Sequence, residues 1–146
     1  MIRAATHEDM ESILRMGRNF CQALGEKFDR RSVCEHVEWL IDNDISTVLV
    51  CEVEEIGVVG MVSGVYIPVY FDNSRTQATE MWWWVDEEAR KLGVGTELID
   101  GLESWARQAG AERLSMMIMH QLDKSIVQIY EKRGYHIHES TFLKEF

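Results

Sequence analysis

The chain has 146 residues, 46% hydrophobic and 27% charged, a balance that suits one globular domain over residues 1–146 and excludes a disordered or fibrous chain. Acidic residues outnumber basic ones 25 to 15, and the net charge of −10 argues against nucleic acid as a partner while favouring a cationic one. No run of about 18 apolar residues occurs and the first residues lack a signal-peptide core, so a cytoplasmic protein without a membrane association is expected.

Ile2 to Ala4 is a short strand. Thr6 with Asp9 starts a helix whose apolar positions, Met10, Ile13, Leu14, Phe20, Cys21 and Leu24, recur at a rough 3–4 spacing until Gly25 ends it. A second helix is expected from Arg31 to Ile41. Thr47 to Val53 is a strand by its β-branched content, and Glu54 to Gly57 is a turn. Val58 to Tyr70 forms a longer strand, bulged near Gly64. Asp72 to Ser74 turns the chain into a third strand, Gln77 to Val85, which completes an antiparallel meander.

The pattern then changes. Val94, Leu98, Ile99, Leu102, Trp105 and Ala106 define an amphipathic helix, closed by Gly110. Arg113 to Met119 is an apolar strand, expected to lie nearly parallel to the Gln77–Val85 strand after a right-handed crossover. Asp123 caps a helix to Arg133, Gly134 ends it, and Tyr135 to Phe142 is a last strand region. The sum is a mixed sheet with helices on both faces.

Between the tryptophan-rich strand and the amphipathic helix lies Arg90-Lys91-Leu92-Gly93-Val94-Gly95-Thr96. A strand, a glycine turn and a helix start aim free N–H groups and the positive end of a helix dipole at one point, where a phosphate or pyrophosphate fits. Leu98 stands where a dinucleotide-binding G-x-G-x-x-G needs glycine, and no glycine is followed by Lys and then Ser or Thr as a P-loop requires. Arg90, Gly93 and Gly95 satisfy R-x-x-G-x-G instead. Farther on, Ile129-Tyr130-Glu131-Lys132-Arg133-Gly134-Tyr135 follows Asp123 and Ile126.

Together these segments resemble the GNAT N-acetyltransferase superfamily, whose loop reads V-x-P-x-x-R/Q-x-x-G-x-G/A and whose later segment reads N-x-x-A-x-x-L-Y-E-K-x-G-F. Val85 and Arg90 keep the spacing; Glu87 replaces the proline, Asp123 the asparagine and Ile126 the alanine. The resemblance implies a GNAT-like mixed α/β (α+β) fold with a mostly antiparallel central sheet of about six or seven strands. It implies an acetyltransferase that uses acetyl-coenzyme A as cosubstrate, with no metal, and carries the acetyl group to a small-molecule or peptide amine.

On that resemblance, residues Arg90 to Thr96 hold the pyrophosphate, with Gly93 and Gly95 admitting the backbone close to it, and Asp123 sits in the second donor-binding segment. The main chain of Trp83, Trp84 and Val85 pairs with the pantetheine arm, at a splay between neighbouring strands. Tyr130 matches the tyrosine that protonates the leaving thiolate. Glu80 is the side-chain candidate for the base that takes the amine proton. It lies at an odd offset from Val85, so it faces the site only if a bulge intervenes; otherwise it is a strand-end carboxylate in solvent.

Trp82, Trp83 and Trp84 alternate faces, and Tyr66, Tyr70 and Phe71 are further wall candidates. His136 and His138 share a strand face without an evident third ligand, which is too few for zinc. Cys21, Cys34 and Cys51 read as reduced thiols. Two rivals to the enzyme remain: a non-catalytic module that binds coenzyme A or a protein, and a tRNA-directed toxin, against which the acidic charge argues. By analogy with the family, two copies pair through C-terminal strands, using Thr141-Phe142-Leu143.

Overall fold

The computed structural model describes residues 1–119 and 125–146. Five strands, β1 (Ile2–Ala4), β2 (Ser46–Val53), β3 (Gly57–Val69), β4 (Asp72–Val85) and β5 (Arg113–Ser115), form one sheet in the order β1-β2-β3-β4-β5. The first four are antiparallel and β5 runs parallel to β4. Helices α1 (Met10–Leu24) and α2 (Arg30–Asp42) pack on one face, α3 (Val94–Gln108) on the other, and α4 (Ser125–Lys132) follows β5.

Among the described residues the strand number is therefore five, not six or seven. The run expected to be a strand to Met119 leaves the ladder after Ser115, and the Met117 N–H bonds to the Glu80 side chain rather than to the β4 main chain. The expected strand from Tyr135 to Phe142 is irregular chain. Beyond Tyr135 its apolar side chains have no covering face among the described residues, with Ile137 85% and Phe142 97% exposed. The turn expected at Asp72–Ser74 also moves. Val69 pairs with Asp72 across Tyr70 and Phe71, so these two make the turn, and Asn73 to Arg75 bulge out of register. Asp72 stabilises that bulge by accepting bonds from the Ser74 N–H and hydroxyl. Tyr70 and Phe71 pack edge to face at the exposed hairpin tip.

Glycines set how closely the layers approach. A Cβ on Gly60 would lie 2.8 Å from Val94 Cγ1, and one on Gly64 would lie 2.9 Å from Leu102 Cδ1, which places both on the α3 side of β3. On the opposite side, a Cβ on Gly17 of α1 would lie 2.5 Å from the Trp82 ring. Gly17→Val is therefore expected to overpack the core and lower stability by about 2 kcal/mol, read from equilibrium urea unfolding.

Candidate active site

The bulge near Gly64 decides the geometry of the site. In the β3–β4 ladder Ser63 faces Trp82 and Gly64 faces Glu80, so Met81 has no partner. One extra residue reverses the alternation of side chains. Val85, Trp83 and Glu80 consequently share the α3 face with Gly60, Val62 and Gly64, while Trp82 and Trp84 point to α1 and α2.

Next to this bulge the β4–β5 ladder ends. Pairing of β4 with β5 runs from Gln77↔Arg113 to Thr79↔Ser115 and then stops. From Glu80 to Val85, β4 has no ladder partner on that side among the described residues. Its main-chain groups there, including those of Trp83 and Trp84, lie along this unpaired edge.

Two side chains bind the main chain of Met117, just past β5. Glu80 is 4% exposed and its Oε2 accepts the Met117 N–H at 3.0 Å. Burial pushes its carboxyl up to about 7, against the opposing effect of the Met117 bond. Tyr130 is 6% exposed and its hydroxyl donates to the Met117 carbonyl at 3.3 Å. Burial, with smaller contributions from Glu80 and Tyr135, raises the phenol well above its ordinary range. The Tyr130 ring packs on Trp83 (centroids 6.0 Å apart) and on Tyr135 (5.5 Å). One residue, Met117, thus has its N–H held by a carboxylate and its C=O by a phenol.

Tyr130 is fixed by the way α4 ends. Gly134 takes a left-handed conformation (φ 87°), the Tyr135 N–H bonds to the Tyr130 carbonyl, and the Gly134 N–H bonds to that of Glu131. This closure brings the rings of Tyr130 and Tyr135 together, which gives a physical reason for the Tyr-Glu-Lys-Arg-Gly-Tyr run.

The glycine loop lies at the other end of the exposed β4 edge. Gly93 has φ 81° and ψ −2°, and a Cβ there would meet nothing within 4 Å. It is needed for the backbone turn. Gly95 answers to a different demand: its Cβ would lie 3.1 Å from Trp83 Cζ2, so its absence lets α3 settle on that ring. The Glu97 N–H bonds to the Gly93 carbonyl, while among the described residues the N–H groups of Gly93, Val94, Gly95 and Thr96 find no acceptor. This is a set of donors at a helix start that suits an anion.

Lys91, Leu92 and Thr96 are exposed, and Val94 and Val85 are core residues. Arg90 bends back, donating from Nε to the Val85 carbonyl at 3.1 Å, with its guanidinium over the Trp84 ring. Trp84 donates to Asp86, which is paired with Arg15 at 2.6 Å. Asp86 and Arg15 were not marked by the sequence reasoning; the only hint is an acid directly after the tryptophan run. Met117 acts through its main chain and left no signal at all. Asp123 falls outside the described residues. Among the described residues no group of His, Cys, Asp and Glu is placed to hold a metal, and no helix is long and apolar enough to cross a membrane.

A parallel β4–β5 pair that ends early, beside a glycine-rich helix start with free N–H groups, suits a protein that binds a phosphate-bearing ligand. The sequence matches the Acetyltransferase (GNAT) family over residues 11–135, and the chain belongs to that family. Solved structures with the same fold include a transcriptional regulator from Bacillus halodurans C-125, at 21% identity and a TM-score of 0.80, covering 100% of this chain and 99% of that one. They also include a ribosomal-protein-alanine N-acetyltransferase from Brucella melitensis biovar Abortus 2308, at 18% identity and a TM-score of 0.78, covering 100% and 99%. A third is an aminoglycoside acetyltransferase, meta-AAC0020, from an uncultured soil metagenomic sample, at 18% identity and a TM-score of 0.74, covering 100% and 94%. No curated protein matches the chain.

Proposed function

We propose that the protein transfers the acetyl group of acetyl-coenzyme A to a primary amine by direct attack, with Glu80 as general base and Tyr130 as general acid. The observation that carries this reading is that a buried carboxylate and a buried phenol bind the main chain of the same residue, Met117, just past the end of the β4–β5 ladder. The free N–H groups of Gly93 to Thr96 suit the pyrophosphate. The exposed β4 edge at Trp83 to Val85 suits the pantetheine arm, whose amides pair as a strand would.

An alkylamine is mostly charged at neutral pH and must lose a proton to attack. The ammonium proton passes to solvent, and Glu80, ionised above about pH 7, accepts the second nitrogen proton as the C–N bond forms. As the C–S bond breaks, Tyr130 gives its hydroxyl proton to the sulfur. Protonation removes the negative charge of Glu80, and with it one of the causes that keep the phenol proton on Tyr130. The carboxylic acid and the phenolate left behind exchange their proton with solvent as products leave. The net charge of −10 suits a cationic acceptor, whether a small polyamine-like or aminoglycoside-like molecule or a peptide amine.

Gly93→Asp tests the donor site cleanly. Aspartate tolerates the left-handed conformation, its side chain meets open space, and its charge favours a helix start but opposes a pyrophosphate. Calorimetric titration with acetyl-coenzyme A is expected to give saturable binding for the wild type. The variant, expected to stay folded at a cost of about 1 kcal/mol for the left-handed backbone, is expected to bind at least about tenfold more weakly. No binding by the folded wild type sinks the donor assignment and leaves a non-catalytic module. Thiol release with a panel of spermidine, kanamycin, lysine and an alanine-led peptide then selects the acceptor class.

A further inference from the structure

Glu103 has no part in the chemistry described so far, yet three donors converge on it. It lies on α3, flanking the buried stripe of Leu98, Ile99, Leu102 and Ala106. Its Oε1 accepts the Tyr135 hydroxyl at 3.1 Å and Arg133 Nε at 3.2 Å, and its Oε2 accepts from Arg107 at 3.0 Å. Arg133 reaches on to Asp100, one turn earlier on the same helix. Glu103 and Arg133 are only 17% and 19% exposed, so this junction is largely closed to water.

The two residues that Glu103 holds flank the left-handed Gly134 and form the end of α4. Tyr135 is the residue whose ring lies on Tyr130. Helix α4 is one short element of eight residues, and such a helix takes its position from its tertiary contacts. Helix α3 is long and well buried, and its first turn carries the free N–H groups of the donor loop. Glu103 lies eight residues beyond Gly95, about 12 Å along the helix axis. One rigid helix therefore carries the donor cradle at its start and the anchor of the α4 cap near its end.

We propose that Glu103 is a positioning residue that fixes Tyr130 relative to the donor loop, acting through Tyr135 and Arg133. A helix face needing only solubility would be served by any polar side chain; this one meets two donors from the segment that closes on Tyr130. The functional half of the inference rests on the reading of Tyr130 as the acid.

The test uses the full chain labelled with carbon-13 at tyrosine Cζ, its four tyrosines assigned with Tyr→Phe variants. Glu103→Ala is expected to shift or split the Tyr130 signal and leave those of Tyr66 and Tyr70 in place. Glu103→Gln retains an acceptor for Tyr135 and Arg133 Nε and is expected to restore the wild-type Tyr130 signal. With the fastest amine of the panel above, Glu103→Ala is expected to lower kcat about tenfold with the KM for acetyl-coenzyme A unchanged. In a Tyr130→Phe background the same change is expected to have almost no further effect on kcat.

An unmoved Tyr130 signal in folded Glu103→Ala overturns the inference, as does a kcat loss that multiplies in full on Tyr130→Phe. Should Glu103→Ala fail to fold, Tyr135→Phe removes the same hydroxyl bond and is read by the same two criteria. If Tyr130→Phe keeps wild-type turnover, it is the acid reading that fails, and the Tyr130 signal still decides whether Glu103 positions the ring.

Discussion

Tyr130→Phe is expected to reduce kcat by about 10²- to 10³-fold while leaving the affinity for acetyl-coenzyme A unchanged. The ring is the part of Tyr130 that builds the structure: it packs between Trp83 and Tyr135, and phenylalanine keeps those contacts. The hydroxyl contributes one bond, to the Met117 carbonyl at 3.3 Å, which is long for an O–H donor and of little consequence for stability. Removing it should lower the melting temperature by no more than a few degrees. A large loss of turnover in a protein that binds its donor normally therefore separates the acid from a structural tyrosine. Calorimetry for the donor and single-turnover thiol release for the chemistry read the two quantities. Equal turnover in the variant and the wild type would remove Tyr130 from the reaction and leave its ring as packing.

The parts of this site that were readable in advance are those written in local residue patterns. The glycine loop announces itself because Gly93 must be left-handed and Gly95 must clear Trp83, and both demands fall on fixed positions after a strand. Tyr130 is marked by the glycine four residues later, which folds the chain back so that Tyr135 can cover it. The face of Glu80 was not readable from spacing alone, since it turns on a single unpaired residue, Met81, and a bulge can be shifted by one position without changing composition. The extent of β5 was overread for a related reason. Met116 to Met119 is as apolar as a strand, but whether it pairs depends on how far its neighbour has diverged, a property of the sheet rather than of the segment. The C-terminal stretch carries apolar residues as well, and nothing in its own sequence states whether a neighbouring strand is there to receive it.

Glu80 connects the chemistry to stability, and the sign can be worked out. Its carboxyl is held at about 7 in the folded protein, above the ordinary value of 4.5, because burial penalises the charged form. Between those two values the folded state binds more protons than the unfolded one, so stability is greatest at and below about pH 4.5 as far as this group is concerned. It falls as the pH rises towards 7 and is constant above that. The loss is about 3 kcal/mol, from the difference between 4.5 and about 7 at 1.36 kcal/mol per tenfold change in acidity. Glu80→Gln is isosteric, retains an acceptor for the Met117 N–H and carries no charge to bury. The variant is expected to be more stable than the wild type at pH 8, by up to about 3 kcal/mol, and to lose this fall between pH 4.5 and 7. Urea unfolding across that range measures both. The same change should lower kcat by about 10²-fold and erase the rise of kcat/KM that the wild type shows as the pH passes through about 7. A residue whose removal stabilises the fold while disabling the reaction is present for the reaction. A variant that gained nothing at pH 8 and kept its turnover would place Glu80 among the structural contacts of the splay, with the amine proton passing directly to water.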